Sequence, residues 1–317
     1  EGAGLGVLHA GVLLNAVETR GSLGRFEDGR LILHATTQMP HRYKEQLADK
    51  VFKVPRDAVR VLVGDVGGGF GGKNGLYAEN CMTLFAARDL GRPVKWVSDR
   101  DEAFLTDTAG RDNVTTGELA LDATGEPLAF RVRTYANLGA YNANGSAVSP
   151  TNMHMAPNCY RIPQVYIRVT GTFTNTTPVD AYRGAGRPEI TYLIERLVDK
   201  AARELGEDPI AYRARIALQP EVFPYKTPTG LTYESADFGS LLEQAKTRVD
   251  WQGFSERRGE SEAQGLLRGI GVCLYIERCG GGPALSEAAT VDVQPDGVVT
   301  VRIGSQSNGQ AHRTSYA

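Results

Sequence analysis

The densest chemistry-bearing stretch runs Gly64-Asp65-Val66-Gly67-Gly68-Gly69-Phe70-Gly71-Gly72-Lys73-Asn74, between a predicted strand and a predicted helix. Glycines lacking Cβ atoms let several backbone N–H groups converge on an anionic or oxo-type ligand. The helix N-terminus that follows adds favourable dipole charge. Gly67, Gly69 and Gly72 satisfy GxGxxG, and Gly67, Gly72 and Lys73 satisfy the opening of the phosphate-binding GxxxxGK pattern. Asn74 stands where that pattern needs Ser or Thr for magnesium. Arg92-Pro93 stands about 20 residues on, where a dinucleotide site needs an acid. Neither nucleotide reading fits well, and a ligand-free glycine turn is the plain alternative.

Two further segments carry donors. Asp180-Ala181-Tyr182-Arg183-Gly184-Ala185-Gly186-Arg187-Pro188-Glu189 sets two arginines around two glycines ahead of a predicted helix. It reads either as an anion site or as a capping loop with solvated arginines. Gly304-Ser305-Gln306-Ser307-Asn308-Gly309-Gln310-Ala311-His312 places small and amide residues at a strand-to-helix turn, and alone reads as a loop. The four cysteines (81, 159, 273 and 279) include no CxxC pair, and the five histidines no HExxH. The side chains therefore spell no zinc or iron–sulfur ligand set.

The elements that must position these loops follow from pattern. Arg25 to Thr37 reads as a hairpin around Asp28-Gly29. Pro40 opens a helix to Val51 with Tyr43, Leu47 and Val51 on one face, and Pro55 ends it. Val59 to Val63 reads as a buried strand, Leu76 to Asp89 as a helix and Val94 to Val97 as a strand, a βαβ order. Thr115 to Leu121 and Pro127 to Ala136 form a second hairpin, and 137–180 reads as a long irregular stretch. Glu189 to Leu205 is a strongly amphipathic helix ended by Gly206. Asp208-Pro209 opens another, to about Leu218. Residues 219–264 read as a linker with one helix near Phe238 to Val249. Strands follow at Ile270 to Ile276, Ala289 to Val293 and Val298 to Ile303.

The 317 residues suggest two domains, and 37 glycines is well above the usual share of about 7%. A net charge of -2 with no basic stripe argues against a nucleic-acid binder. The apolar run from Gly6 to Val17 is too short to span a bilayer and lacks signal-peptide features, so cytoplasmic is the expected location. Glu1 opens the sequence and 310–317 reads as the first turns of a helix, so a piece of a longer chain, truncated at both ends, is expected.

Taken together, GGGFGGK, AYRGAGR and the Gly309-Gln310 segment resemble the molybdenum hydroxylases, the large subunits of xanthine dehydrogenase, aldehyde oxidase and aerobic carbon monoxide dehydrogenase. AYRGAGR looks most like the form II carbon monoxide dehydrogenase-like group. The match is collinear through Val17-Glu18-Thr19-Arg20-Gly21, Thr37-Gln38-Met39-Pro40-His41, Gly91 to Trp96 and Asn158-Cys159-Tyr160-Arg161-Ile162-Pro163, and resumes at Gly280-Gly281-Gly282-Pro283.

The resemblance implies an α+β fold of mixed sheets with packed helices, in a molybdenum cofactor-binding domain architecture. A first molybdopterin-binding domain would cover 1–218, a linker 219–264, and the start of an incomplete second domain 265–317. The cofactor would be molybdopterin with molybdenum, often carried as the cytosine dinucleotide in bacteria. Gly68, Gly69, Phe70, Gly71, Gly72, Arg183, Gly184, Gly309 and Gln310 would bind it, with Phe70 and Arg183 next to the metal without ligating it through side chains. Asn74, Thr151 and Ala185 would line the substrate pocket.

The activity implied is oxidation of a small molecule with water as oxygen source. Electrons would leave through an iron–sulfur small subunit and an FAD-binding medium subunit, in a dimer of heterotrimers. The general-base glutamate would lie beyond Ala317, which makes a catalytically incomplete cofactor-binding or structural module the alternative. Asn74, Thr151 and Ala185 replace the charged and stacking residues of purine hydroxylases, and Gly184 replaces the copper-binding cysteine of carbon monoxide dehydrogenases. An aldehyde or N-heterocycle is what the resemblance leaves as substrate. Ala311 replaces the glycine expected after Gln310.

Overall fold

The computed structural model describes residues 2–143, 152–277 and 288–316. The expected mixed α+β organisation is present, with two four-stranded sheets each covered on one face by helices.

The smaller sheet has the order β4-β3-β2-β5, from β2 (Gly21–Glu27), β3 (Arg30–Ala35), β4 (Val59–Leu62) and β5 (Val94–Val97). Asp28 and Gly29 both take positive φ, +50° and +75°, which joins β2 to β3 by the tight turn their types favour. Helices α1 (Pro40–Gln46) and α2 (Ala78–Leu90) pack on one face, where Leu31, Leu33, Tyr43, Leu47 and Leu84 are buried. α2 lies so close to β2 that a Cβ at Gly24 would fall 2.4 Å from the Thr83 carbonyl oxygen. The expected helix to Val51 changes pitch: a π-helical turn over Leu47–Phe52 follows α1. That turn shifts the stripe, burying Tyr43 and Leu47 and leaving Val51 exposed. β4 is an edge strand, so of the stretch expected to be buried only Val59 is fully covered.

The larger sheet has the order β1-β6-β7-β8. β1 (Gly2–Leu13) and β6 (Ala109–Leu121) pair antiparallel, β6 pairs with β7 (Pro127–Gly139), and β8 (Gln164–Phe173) runs parallel to β7. β8 corrects the expectation of an irregular 137–180. Val165 and Ile167 alternate with polar residues there, but as an edge strand it is only half covered. After α3 (Arg100–Thr106), the helix that holds this sheet is α4 (Arg187–Leu205). Its Leu193, Ile194, Leu197 and Val198 meet Leu119, Phe130 and Val132, each side chain contributing about 1.5–3 kcal/mol by burial. α5 (Pro209–Ile216) closes the core, its N-terminal N–H groups capped by Asp208.

Residues 219–264, expected as a linker with one helix, carry more regular structure than that. They form the short hairpin β9 (Tyr225–Lys226) and β10 (Thr232–Tyr233), then α6 (Phe238–Arg248) and α7 (Phe254–Ala263). Tyr233, Phe238 and Leu242 are buried with α4 and α5, so the polar composition hid three anchoring side chains. The strand expected over Ile270 to Ile276 is also absent. Side chains replace the ladder: Leu274 donates its N–H to Glu195 Oε2 at 3.0 Å, and its carbonyl accepts from Asn158 Nδ2 at 2.9 Å. β11 (Ala289–Val293) and β12 (Val299–Ile303) pair as expected around the Pro295-Asp296-Gly297 turn, and α8 (His312–Ser315) follows.

Candidate functional site

The three donor-bearing segments come together at one place. The glycine loop leaves β4, and Arg183 donates its backbone N–H to the Phe70 carbonyl oxygen at 2.9 Å. The approach is so close that only glycine fits at 71, where φ is +104° and a Cβ would lie 2.3 Å from the Ala181 carbonyl oxygen. The third segment docks from the other direction. Val66 donates its N–H to the Ser307 carbonyl at 2.9 Å, and Gln306 Nε2 donates to the Thr37 carbonyl at 3.1 Å.

Most of the loop's donors are spent on the protein, which corrects the expectation that many N–H groups converge on a ligand. Gly67 N–H goes to Glu18 Oε2 (2.6 Å), Gly68 N–H to the Val66 carbonyl (2.9 Å) and Gly72 N–H to the Gly69 carbonyl (2.9 Å). Gly71 and Lys73 N–H both go to Gln38 Oε1, at 2.9 and 3.4 Å, and Asn74 N–H to the Gly71 carbonyl at 3.3 Å. Between Val66 and Asn74, only Gly69 and Phe70 keep N–H groups with no acceptor among the described residues. Phe70 holds φ +52°, a strained conformation for a residue with a side chain, and the residue is 41% exposed.

Lys73 points away from any ligand. Its ammonium is buried and donates to the Glu18 carbonyl at 2.8 Å, with Glu18 Oε2 3.5 Å away. Burial pushes its pKa below the ordinary lysine value, against the opposing pull of Glu18. A lysine so committed cannot serve a nucleotide phosphate, so the GxxxxGK reading ends here.

The two arginines of AYRGAGR part company. Arg187 pairs with Glu277, whereas the Arg183 guanidinium is exposed and has no partner among the described residues. Gly184 and Gly186 take φ +91° and +89°, carrying the chain into α4. Ala185 is buried, with its N–H on the Tyr182 carbonyl at 2.7 Å. Gly309, at φ +105°, has open space where a Cβ would stand. Gln310 accepts the Asn308 N–H on Oε1 at 2.5 Å, leaving its exposed amide NH2 outward. Thr151 lies outside the described residues.

Glu18 and Gln38 are the functional side chains that sequence reasoning did not single out. Their signal was indirect: a tightly folded glycine loop leaves N–H groups that need acceptors, and polar residues from flanking segments must supply them. No group of three or more His, Cys, Asp or Glu side chains stands together among the described residues, and no helix there is long and apolar enough to cross a membrane. What these segments offer is two open backbone donors, one free guanidinium and an amide, groups of the kind that hold anions.

Comparison with known proteins gives this arrangement a setting. Residues 9–217 match the model of the molybdopterin cofactor-binding domain, and 244–317 match a second model of the same description. The chain is 34% identical to the carbon monoxide dehydrogenase large chain of Hydrogenophaga pseudoflava, over 95% of this chain and 40% of that protein. It is 30% identical to the nicotine 6-hydroxylase large subunit of Paenarthrobacter nicotinovorans, over 95% of this chain and 38% of that one. The crystal structure of quinoline 2-oxidoreductase from Pseudomonas putida 86 superimposes with a TM-score of 0.94 at 32% identity, covering 99% of this chain and 42% of that chain. The chain thus spans about two fifths of the length of the relatives it matches.

Proposed function

The chain belongs to the molybdopterin cofactor-binding domain family, and we propose on that basis that it forms the cofactor-binding part of a molybdenum hydroxylase large subunit. The observation that carries this reading is the backbone bond from Arg183 to Phe70, which sets the free guanidinium and the two open N–H donors on joined loops. Gly69 and Phe70 N–H, Arg183 and Gln310 would hold the cofactor, with Gly68, Gly71, Gly72 and Gly184 shaping the loops that bind it and Gly309 leaving space at its approach. When bound, it supplies a Lewis-acidic, redox-active metal. The chain's own residues bind and orient: the glycine loop offers preorganised donors, and Arg183 offers positive charge to an anionic periphery. In this reading the cofactor is the cytosine dinucleotide form, the general-base glutamate lies beyond Ala317, and the first cofactor-binding domain covers 1–218.

The substrate class proposed is an aldehyde or an N-heterocycle. Gly184 offers no sulfur for copper, and Asn74 and Ala185 offer neither charge nor an aromatic face for a purine. The likeness to relatives named for quinoline and nicotine supports the heterocycle. The reading includes an iron–sulfur small subunit and an FAD-binding medium subunit, assembled as a dimer of heterotrimers in the cytoplasm. The relatives' names as large chains and subunits support a multi-subunit setting.

The test is metal and pterin analysis of the full-length complex, together with dye reduction by a panel of aldehydes and azaarenes. Stoichiometric molybdenum with turnover of one class is expected. Fully matured protein without molybdenum would overturn the reading, and loaded protein inert to both classes would overturn the substrate assignment.

A further inference from the structure

Strand β6 contains two successive residues with side chains in the left-handed region, Arg111 at φ +67° and Asp112 at φ +64°. Such conformations persist only where the surroundings over-determine them, and the surroundings of Arg111 are specific. Its guanidinium donates Nη1 to Glu189 Oε2 at 3.1 Å and to the Tyr182 carbonyl at 3.4 Å, and Nη2 to the Arg183 carbonyl at 3.0 Å. It also lies over the Tyr182 ring, 4.8 Å from its centroid. Glu189 is buried and uses the same Oε2 to accept the Gly186 N–H at 3.0 Å. The strand itself presses on the loop: a Cβ at Gly110 would fall 2.3 Å from Tyr182 Cβ.

Arg183 is therefore gripped by its main chain on both sides. Its N–H is spent on Phe70 and its carbonyl on Arg111, while its guanidinium stays free. We infer that Arg111, braced by Glu189, is a positioning residue that fixes the Arg183 peptide and so holds the Arg183 side chain in constant relation to the Gly69 and Phe70 donors. The fork shape matters: one planar group reaches two consecutive carbonyls and a carboxylate, which a lysine ammonium on a flexible stem cannot reproduce. The catalytic consequence rests on the functional reading above; the structural grip does not.

Hydrogen exchange on the full-length complex reads the grip directly. In Arg111→Lys, which keeps the charge, the amides of 181–186 should exchange at least about tenfold faster while the global unfolding midpoint holds. In loaded enzyme the same variant should lower kcat about tenfold and leave KM within about twofold. That loss should vanish in an Arg183→Ala background, because Arg111 acts only through Arg183. Unchanged exchange in Arg111→Lys, or a defect that adds in full to Arg183→Ala, would overturn the inference. Should Arg111→Ala fail to fold, Arg111→Lys and the wild-type Arg183 amide still decide, since rapid exchange of that amide in the wild type also overturns it. Wild-type complex without molybdenum defeats the functional reading and leaves the exchange result standing.

Discussion

Arg183 and Phe70, far apart in sequence, are joined by one backbone hydrogen bond of 2.9 Å from the arginine N–H to the phenylalanine carbonyl. The bond uses only main-chain atoms, so the side chains of both residues stay available. Arg183→Ala should therefore spare folding and remove the free positive charge. Turnover of the full complex should fall at least about tenfold, a loss of about 1.4 kcal/mol in transition-state stabilisation, with the thermal midpoint unchanged. Steady-state dye reduction and calorimetry check it; wild-type turnover would count against a role beside the cofactor.

Gly71 tests the seam between the same loops. With φ +104° and the Ala181 carbonyl 2.3 Å from a Cβ, Gly71→Ala must shift backbone. A cost of about 1–3 kcal/mol is expected in denaturant unfolding, together with loss of bound molybdenum. Gly6→Ala in β1, which has nothing within 4 Å and no positive φ, should change stability little and serves as the control. Equal effects from the two substitutions would contradict the close approach.

Gln38 holds the loop from beneath by accepting from Gly71 and Lys73. Gln38→Ala leaves two N–H groups without an acceptor and should cost about 1–3 kcal/mol. Gln38→Glu keeps an acceptor and should recover most of it. Chemical denaturation of the two variants separates a hydrogen-bonding role from simple packing, which would make them equally damaging.

His9 offers a pH test. It sits half-buried near Glu189 and Arg111, and burial is the main cause holding its imidazole below the ordinary 6.5. The unfolded chain binds its proton first as pH falls, so below about 6.5 this residue subtracts stability, and above that value it does not. His9→Gln removes that proton linkage. Between about pH 7.5 and pH 5 the wild type should lose more stability than the variant. Parallel stability curves would show that His9 is not depressed.

The sequence made the glycine loop, the α4 helix and both hairpins legible because each has a short-range signature: bare glycines, an apolar stripe, a turn dipeptide. It hid what depends on partners from elsewhere in the chain. β8 is an edge strand whose alternation is real but only half buried. Residues 219–264 look like polar spacer because Tyr233, Phe238 and Leu242 anchor them singly rather than as a run. At the site, motifs located the donors but not their occupancy. That Gly67, Gly71 and Lys73 are already satisfied by Glu18 and Gln38, leaving Gly69 and Phe70 open, is a tertiary fact.

The most direct measurement is an anomalous-difference map at the molybdenum edge from crystals of the full-length, cofactor-loaded protein. One metal peak per large subunit is predicted beside Gly69-Phe70 and Arg183, within reach of the Phe70 N–H. A fully occupied peak elsewhere, with those residues turned to bulk water, would contradict it.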